Sequence, residues 1–241
     1  MLALFRKEIS EFFSSLTGYL VIIIFLFITG LFAWVFPGNM NILESGYANI
    51  DTLFEIAPWV FLFLVPAITM RMFAEEKRTG TIELLYTRPL TDFHIVLAKY
   101  MAATVLVLLA LIPTLIYFSS VYLLGNPVGN IDTGGTWGSF IGLFFLAASY
   151  VSFGLFASSL SGNQIISFMI ALFLAFIFFT GFEYISNFFF TRQSFILSLG
   201  INDHYQSMSR GVIDSRDILY FLGVILIFIL LTKTKLESRK W

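Results

Sequence analysis

The side chains that could do chemistry are few, and they gather in two places. Of 241 residues, 58% are apolar and only 12% are charged, so each polar cluster stands out. The first cluster runs from Arg71 to Lys99 and reads RMFAEEKRTGTIELLYTRPLTDFHIVLAK. The second, INDHYQSMSRGVIDSRD, runs from Ile201 to Asp217. Neither has the make-up of a catalytic centre. The two histidines, His94 and His204, fall one in each cluster. No His/Glu or His/Asp group with metal-ligand spacing lies within an apolar stretch. There is no cysteine, which excludes disulfides and thiolate metal sites. The phosphate-cradling pattern G-x-x-x-x-G-K-[ST] is absent, so any nucleotide hydrolysis must come from another chain.

What the first cluster offers is a contact surface. Gly80 can start a tight turn, and Thr81 to Arg88 can form a short helix that must end near Pro89. On that helix Ile82, Leu85 and Tyr86 share one face, while Glu83 and Thr87 share another. Thr91 with Asp92 makes an N-cap for the helix that follows. Such an amphipathic helix, held between two long helices, can transmit force from a soluble partner. Spacing alone equally allows a helix that rests on the lipid surface without a partner.

The elements that must position these residues are membrane spans. A mean hydropathy of +0.88 is more than a water-soluble chain of this size can hide. An apolar helix needs about 20 residues to cross the hydrocarbon core. That length predicts an all-α membrane protein, a single transmembrane domain over 1–241, with six spans near 19–36, 56–73, 97–124, 137–160, 164–182 and 218–232. The last is short, with Lys233 and Lys235 placed to snorkel to the interface. Pro66 and Pro113 predict kinks inside spans 2 and 3, with neighbouring helices meeting the freed carbonyls. Positive charge sets the orientation. One side holds Arg6, Lys7, Arg71, Lys77, Arg78, Arg88, Lys99, Lys233, Lys235, Arg239 and Lys240, eleven of the 14 basic residues. The other holds Arg192, Arg210 and Arg216. Both termini are therefore expected in the cytoplasm, in an inner membrane, and the first apolar run does not read as a cleavable signal peptide.

Five longer segments lie outside the expected spans. In 1–17, Leu2, Phe5, Ile9, Phe12, Phe13 and Leu16 recur at helical spacing. Arg6, Glu8, Ser10, Glu11 and Ser14 lie mostly opposite, which predicts an interfacial amphipathic helix ahead of Gly18. It is either a simple anchor or an elbow that helps to hold a partner. The loop 37–55, with Glu44, Asp51 and Glu55, reads as a solvated connector, and 125–136 as a plain turn. The stretch 183–217 is too long for a structureless link, and reads as a folded cap that dips into or lies on the outer leaflet. The cytoplasmic loop 74–95 is the fifth.

The stretch from Pro66 to Thr91, PAITMRMFAEEKRTGTIELLYTRPLT, resembles the ABC-2 membrane subunits, the type-2 ABC transporter permeases. Their pattern E-E-x-x-x-G-T-x-E-x-L-x-x-x-P, between the second and third of six spans, is matched by Glu75, Glu76, Gly80, Thr81, Glu83, Leu85 and Pro89. Lys99 fits the usual Lys at the start of span 3. VSFGLFASSLSGNQ at 151–164 resembles the link between spans 4 and 5, and SRGVIDSRDILYFL at 209–222 the approach to span 6, including Arg210, Gly211, Asp214, Arg216 and Asp217. Together these segments look like the gliding-motility-associated permease subunits of Bacteroidetes. The resemblance implies a second permease subunit, identical or homologous, and two ATPase subunits that bind ATP and Mg, with no cofactor on this chain. It also implies association with a membrane partner bearing a large periplasmic domain, and re-entrant helices at 183–217. The 81–88 segment would be a coupling helix. Leu84, Leu85 and Tyr86 would anchor it in the ATPase groove, and Glu83 and Arg88 would fix its register by charge-assisted hydrogen bonds.

Other classes fit less well. Glu75-Glu76 is like the E-E-x-x-x-R motif of a membrane protease family, but position 80 is Gly, not Arg. A channel would favour intramembrane charge, and the expected spans carry almost none. Ser119, Ser120, Ser149 and Ser152 can line a path or cement packing. So can the small-residue pairs Gly138/Gly142 and Gly154/Ser158 of span 4. A scaffold for a surface machine remains the alternative to transport, and nothing points to nucleic acid.

Overall fold

Long apolar runs leave the backbone few options in a bilayer, because only a helix satisfies every N–H and C=O within its own segment. The computed structural model describes residues 1–87, 89–187, 193–211 and 213–238, without the Gln193 side chain. All regular structure among these residues is helical. Six helices are long and apolar enough to cross a membrane: Leu16–Val35, Asp51–Thr79, Asp92–Leu124, Thr133–Leu160, Gln164–Ser186 and Ser215–Glu237.

A helix α1 (Leu2–Ser14) precedes the first span. Ser15 breaks the two apart, and Gly18 lets the Phe12 carbonyl approach to where a Cβ would stand 2.7 Å away. Span 1 is α2 (Leu16–Gly30), extended by a π-helical turn over Leu31–Val35. Span 2 joins α3 (Asp51–Thr69) to α4 (Arg71–Thr79) across Met70. A short α5 (Ile82–Tyr86) leads to span 3, formed by α6 (Asp92–Leu111), a 3-10 turn at Ile112–Thr114 and α7 (Leu115–Leu124). Span 4 is α8 (Thr133–Leu160), and span 5 is α9 (Gln164–Phe176), a π-helical turn and α10 (Phe182–Ser186). Then come α11 (Gln193–Leu197), α12 (Ile201–Ser209) and span 6, α13 (Ser215–Glu237).

The central element is α8, which packs against α3, α9, α12 and α13. Its glycines make this possible. A Cβ on Gly154 would sit 1.9 Å from Thr69 Oγ1, and one on Gly138 2.3 Å from the Met208 carbonyl. The first small-residue pair therefore seats α12 and the second seats α3 and α4. Ser158 fills the break at Met70: its hydroxyl donates to the Met70 carbonyl (2.9 Å) and accepts from the Phe73 and Ala74 amides (2.9 and 3.1 Å).

Several expected boundaries move, each for a local reason. Span 2 starts at Asp51, whose carboxylate suits a helix N-terminus. It runs to Thr79 because the 71–79 stretch is rich in helix formers. Asp51 and Glu55 thus belong to a helix and not to the 37–55 loop, and Pro58 as well as Pro66 lies inside it. Near Pro66 and Pro113, threonine hydroxyls donate one turn back along the same span, Thr69 to the Val65 carbonyl and Thr114 to that of Leu111. Span 6 is not short. Asp214 caps its start by accepting from the Arg216 amide at 2.9 Å, and a Lys233–Glu237 pair at 3.6 Å supports its last turn.

Candidate coupling site

At the end of the bundle that carries α1 and α5, three elements meet over a buried lysine. Lys99, on α6, is 1% exposed. Its Nζ donates to Glu8 Oε1 of α1 at 2.8 Å and to Glu76 Oε1 of α4 at 2.9 Å, and it lies 5.2 Å from the Phe73 ring centre. Lys7 stands outside this core, within 3.6 Å of Glu8, 3.5 Å of Glu76 and 3.3 Å of Glu11. Partial burial pulls its ammonium pKa down, but the three carboxylates outweigh that and hold it above the ordinary value. A buried lysine is tolerable only when it is paired and hydrogen-bonded in this way.

Glu8 departs from the expected pattern. It lies on the protein-facing stripe of α1 with Leu4 and Phe12, at i, i+4 spacing, and is 4% exposed. Leu2 and Leu16, on the apolar face expected to meet the membrane interface, do not pack on the protein. The reason is Lys99, whose charge makes a carboxylate the best-matched side chain at that position of the stripe. A lone acid between two apolar residues four apart, and a lone lysine between Ala98 and Tyr100, are the signals that could have found the pair.

Beside this floor opens a cleft of about 1020 Å³, walled by Leu4, Lys7, Glu11 and Phe12 of α1 on one side and by Glu75, Leu84 and Leu85 on the other. Gly80 takes the left-handed conformation (φ 75°) that ends α4 and turns the chain into α5. The Thr81 hydroxyl lies 2.9 Å from that of Thr79. The α5 helix is shorter than the expected 81–88 stretch. Its first turn, already closed by a bond from the Leu84 amide to the Thr81 carbonyl, gives way to a turn at Thr87 ahead of Pro89. Ile82 is buried, Leu85 and Tyr86 are half-buried against the core, and Glu83 points out. Of the three expected anchors, Leu84 alone is largely exposed, at 66%. Arg88 lies outside the described residues. Pro89 lines the cleft, and Thr91 caps α6 by accepting from the His94 amide at 3.3 Å.

The second polar cluster is at the opposite end and forms no part of this site. There Asp217 is buried and bonds His204. Asp214 is a cap, Gly211 turns at φ 82° against Gly135, and Arg210 and Arg216 are exposed.

Among curated proteins, none matches the chain. Compared with family profiles, residues 40–232 match the family described as ABC-2 family transporter protein. That span takes in five of the six membrane helices together with α5, the cap helix α12 and Lys99. The chain therefore belongs to the ABC-2 transporter family, as a multi-pass membrane permease of an ABC transporter.

Proposed function

We propose that α5 is the docking element for a separate ATPase subunit, and that this chain converts the ATPase's closure into movement of spans 2 and 3. The observation that carries this reading is the mounting of α5. It sits between the end of span 2 and the start of span 3, exposes Leu84 and Glu83, and is backed by the Glu8–Lys99–Glu76 ion pairs. A push on Leu84 would then pass to α4, α6 and α1 together, which gives the elbow helix a share in the motion. ATP and Mg would be bound by the partner, present in two copies, and a second permease subunit would complete the path. The excess of Lys and Arg at this end supports its placement in the cytoplasm, in an inner membrane. Export, and a role in gliding motility with a periplasmic-domain partner, rest on the resemblance of 66–91, 151–164 and 209–222 taken together.

The test is a mild-detergent pull-down from native membranes through a C-terminal tag, with Leu84→Asp as the variant. Loss of a central apolar anchor costs about 2 kcal/mol or more, roughly a thirtyfold weaker complex. The expected result is a stoichiometric ATPase with the parent chain, its loss with Leu84→Asp, and an unchanged melting temperature. A clean preparation of the parent chain without an ATPase would favour a scaffold instead.

A further inference from the structure

The end of the bundle opposite α5 holds a histidine with no role in coupling. His204, on α12, stacks on the Tyr220 ring with centres 3.9 Å apart and planes 19° apart. Its Nδ1 lies 2.7 Å from Asp217 Oδ1 on the first turn of α13, and its Nε2 lies 2.9 Å from the Ser198 carbonyl oxygen. The Tyr220 hydroxyl in turn donates to the Leu199 carbonyl at 2.6 Å. Four bonds and stacks thus tie α12 and the link before it to the start of α13.

The proton count of this arrangement is fixed by its acceptors. A carbonyl oxygen can only accept, so Nε2 must carry a hydrogen. If Nδ1 were bare, its lone pair would face the Asp217 carboxylate at 2.7 Å with nothing between them. The contact therefore holds one proton between Nδ1 and Oδ1. Asp217 sits in the first turn of a helix with its other carboxyl oxygen buried and, among the described residues, without a hydrogen-bond partner, so the shared proton is what makes the contact attractive. We propose that the His204–Asp217 pair is a proton-binding latch. One bound proton fastens α12 to α13, and its release to water unfastens them.

Among the described residues, the titratable and charged groups around the pair come from α12, α13 and their neighbours. On α12 and its end these are Asp203 and Arg210, and on α13 Asp214, Arg216 and Tyr220. From α10, Glu183 reaches Asn202 at 3.5 Å. Tyr150 of α8 and Asp51 and Glu55 of α3 face Tyr205, the next residue along α12. The α8 face beneath α12 is otherwise glycine, at Gly138 and Gly142.

The chain suits a direct test, because it has two histidines and no cysteine. In His94→Gln protein reconstituted in nanodiscs, nitrogen-15 spectra of His204 report each ring nitrogen. Spin labels at Gln206→Cys and Leu219→Cys report the α12–α13 separation. The expected result is a ring protonated at both nitrogens while the two helices are fastened. On alkalinisation it loses one proton in a single step, and the label distances lengthen or broaden over the same range. Asp217→Asn, by removing the opposite charge, is expected to weaken proton binding at least about tenfold. If that variant fails to fold, the titration with Asp217 intact decides alone. A bare Nδ1 in the fastened state, or a titration with no change in label distance, would overturn the proposal.

Discussion

At the scale of single residues, Lys99 carries the largest consequence. Breaking a buried ion pair by deleting one partner leaves an uncompensated charge and costs about 3–5 kcal/mol. Lys99→Met strands Glu8 and Glu76, and a loss of that size is expected in unfolding measured against a denaturing detergent. Replacing all three, with Glu8→Leu, Lys99→Met and Glu76→Gln, is expected to recover most of it, because the buried charges then leave together. If the single variant were as stable as the parent, the ion pairs would not brace the cleft. The motif residues were legible as a group, since Glu75, Glu76, Gly80 and Glu83 form a dense pattern. The partnership of Glu8 with Lys99 was not, because the two lie 91 positions apart and amphipathicity assigns a lone Glu to the polar face by default. Likewise the inward face Ile82, Leu85 and Tyr86 could be read from spacing, but the exposure of Leu84 depends on which side the core lies.

At the scale of elements, glycine decides which helices touch. Gly138→Val places a side chain against the Met208 carbonyl, a backbone atom that cannot swing away. Overpacking of this kind typically costs about 1–3 kcal/mol. The expected outcome is a lower melting temperature together with faster maleimide labelling of Ser209→Cys as α12 lifts from α8. Gly223→Ala is the control, because nothing lies within 4 Å of the position. There, helix propensity predicts a gain of up to about 1 kcal/mol. The existence of six long helices was readable from apolar length alone. Their ends were not, because charged residues such as Glu75, Lys77, Lys233 and Glu237 continue a helix as readily as they leave a bilayer. The cap helix α12 was hidden for another reason. Its buried residues Ile201, Tyr205 and Met208 are widely spaced in a polar run, and only the glycine face of α8 makes them a packing surface.

At the scale of the whole molecule, an even number of spans puts α1, α5 and the end of α13 together, with α12 and the turn at 125–132 at the far end. With the inward orientation proposed from charge, a cysteine placed at exposed Val128 should react with a membrane-impermeant maleimide in intact cells. One placed at Leu84 should react only after the membrane is opened. The reverse pattern would invert the topology and remove α5 from reach of any cytoplasmic ATPase. The join at Met70 bears on how such a partner could act. At the join of α3 and α4, Ser158 of the central helix takes up the Met70 carbonyl and the Phe73 and Ala74 amides from the side. At 1.5 Å per residue, the arm from Met70 to Gly80 is about 15 Å long and that of α3 about 28 Å. Under the proposed coupling, span 2 would work as a first-class lever with a serine fulcrum, a stroke of a few ångströms at the short arm becoming nearly twice that at the far end.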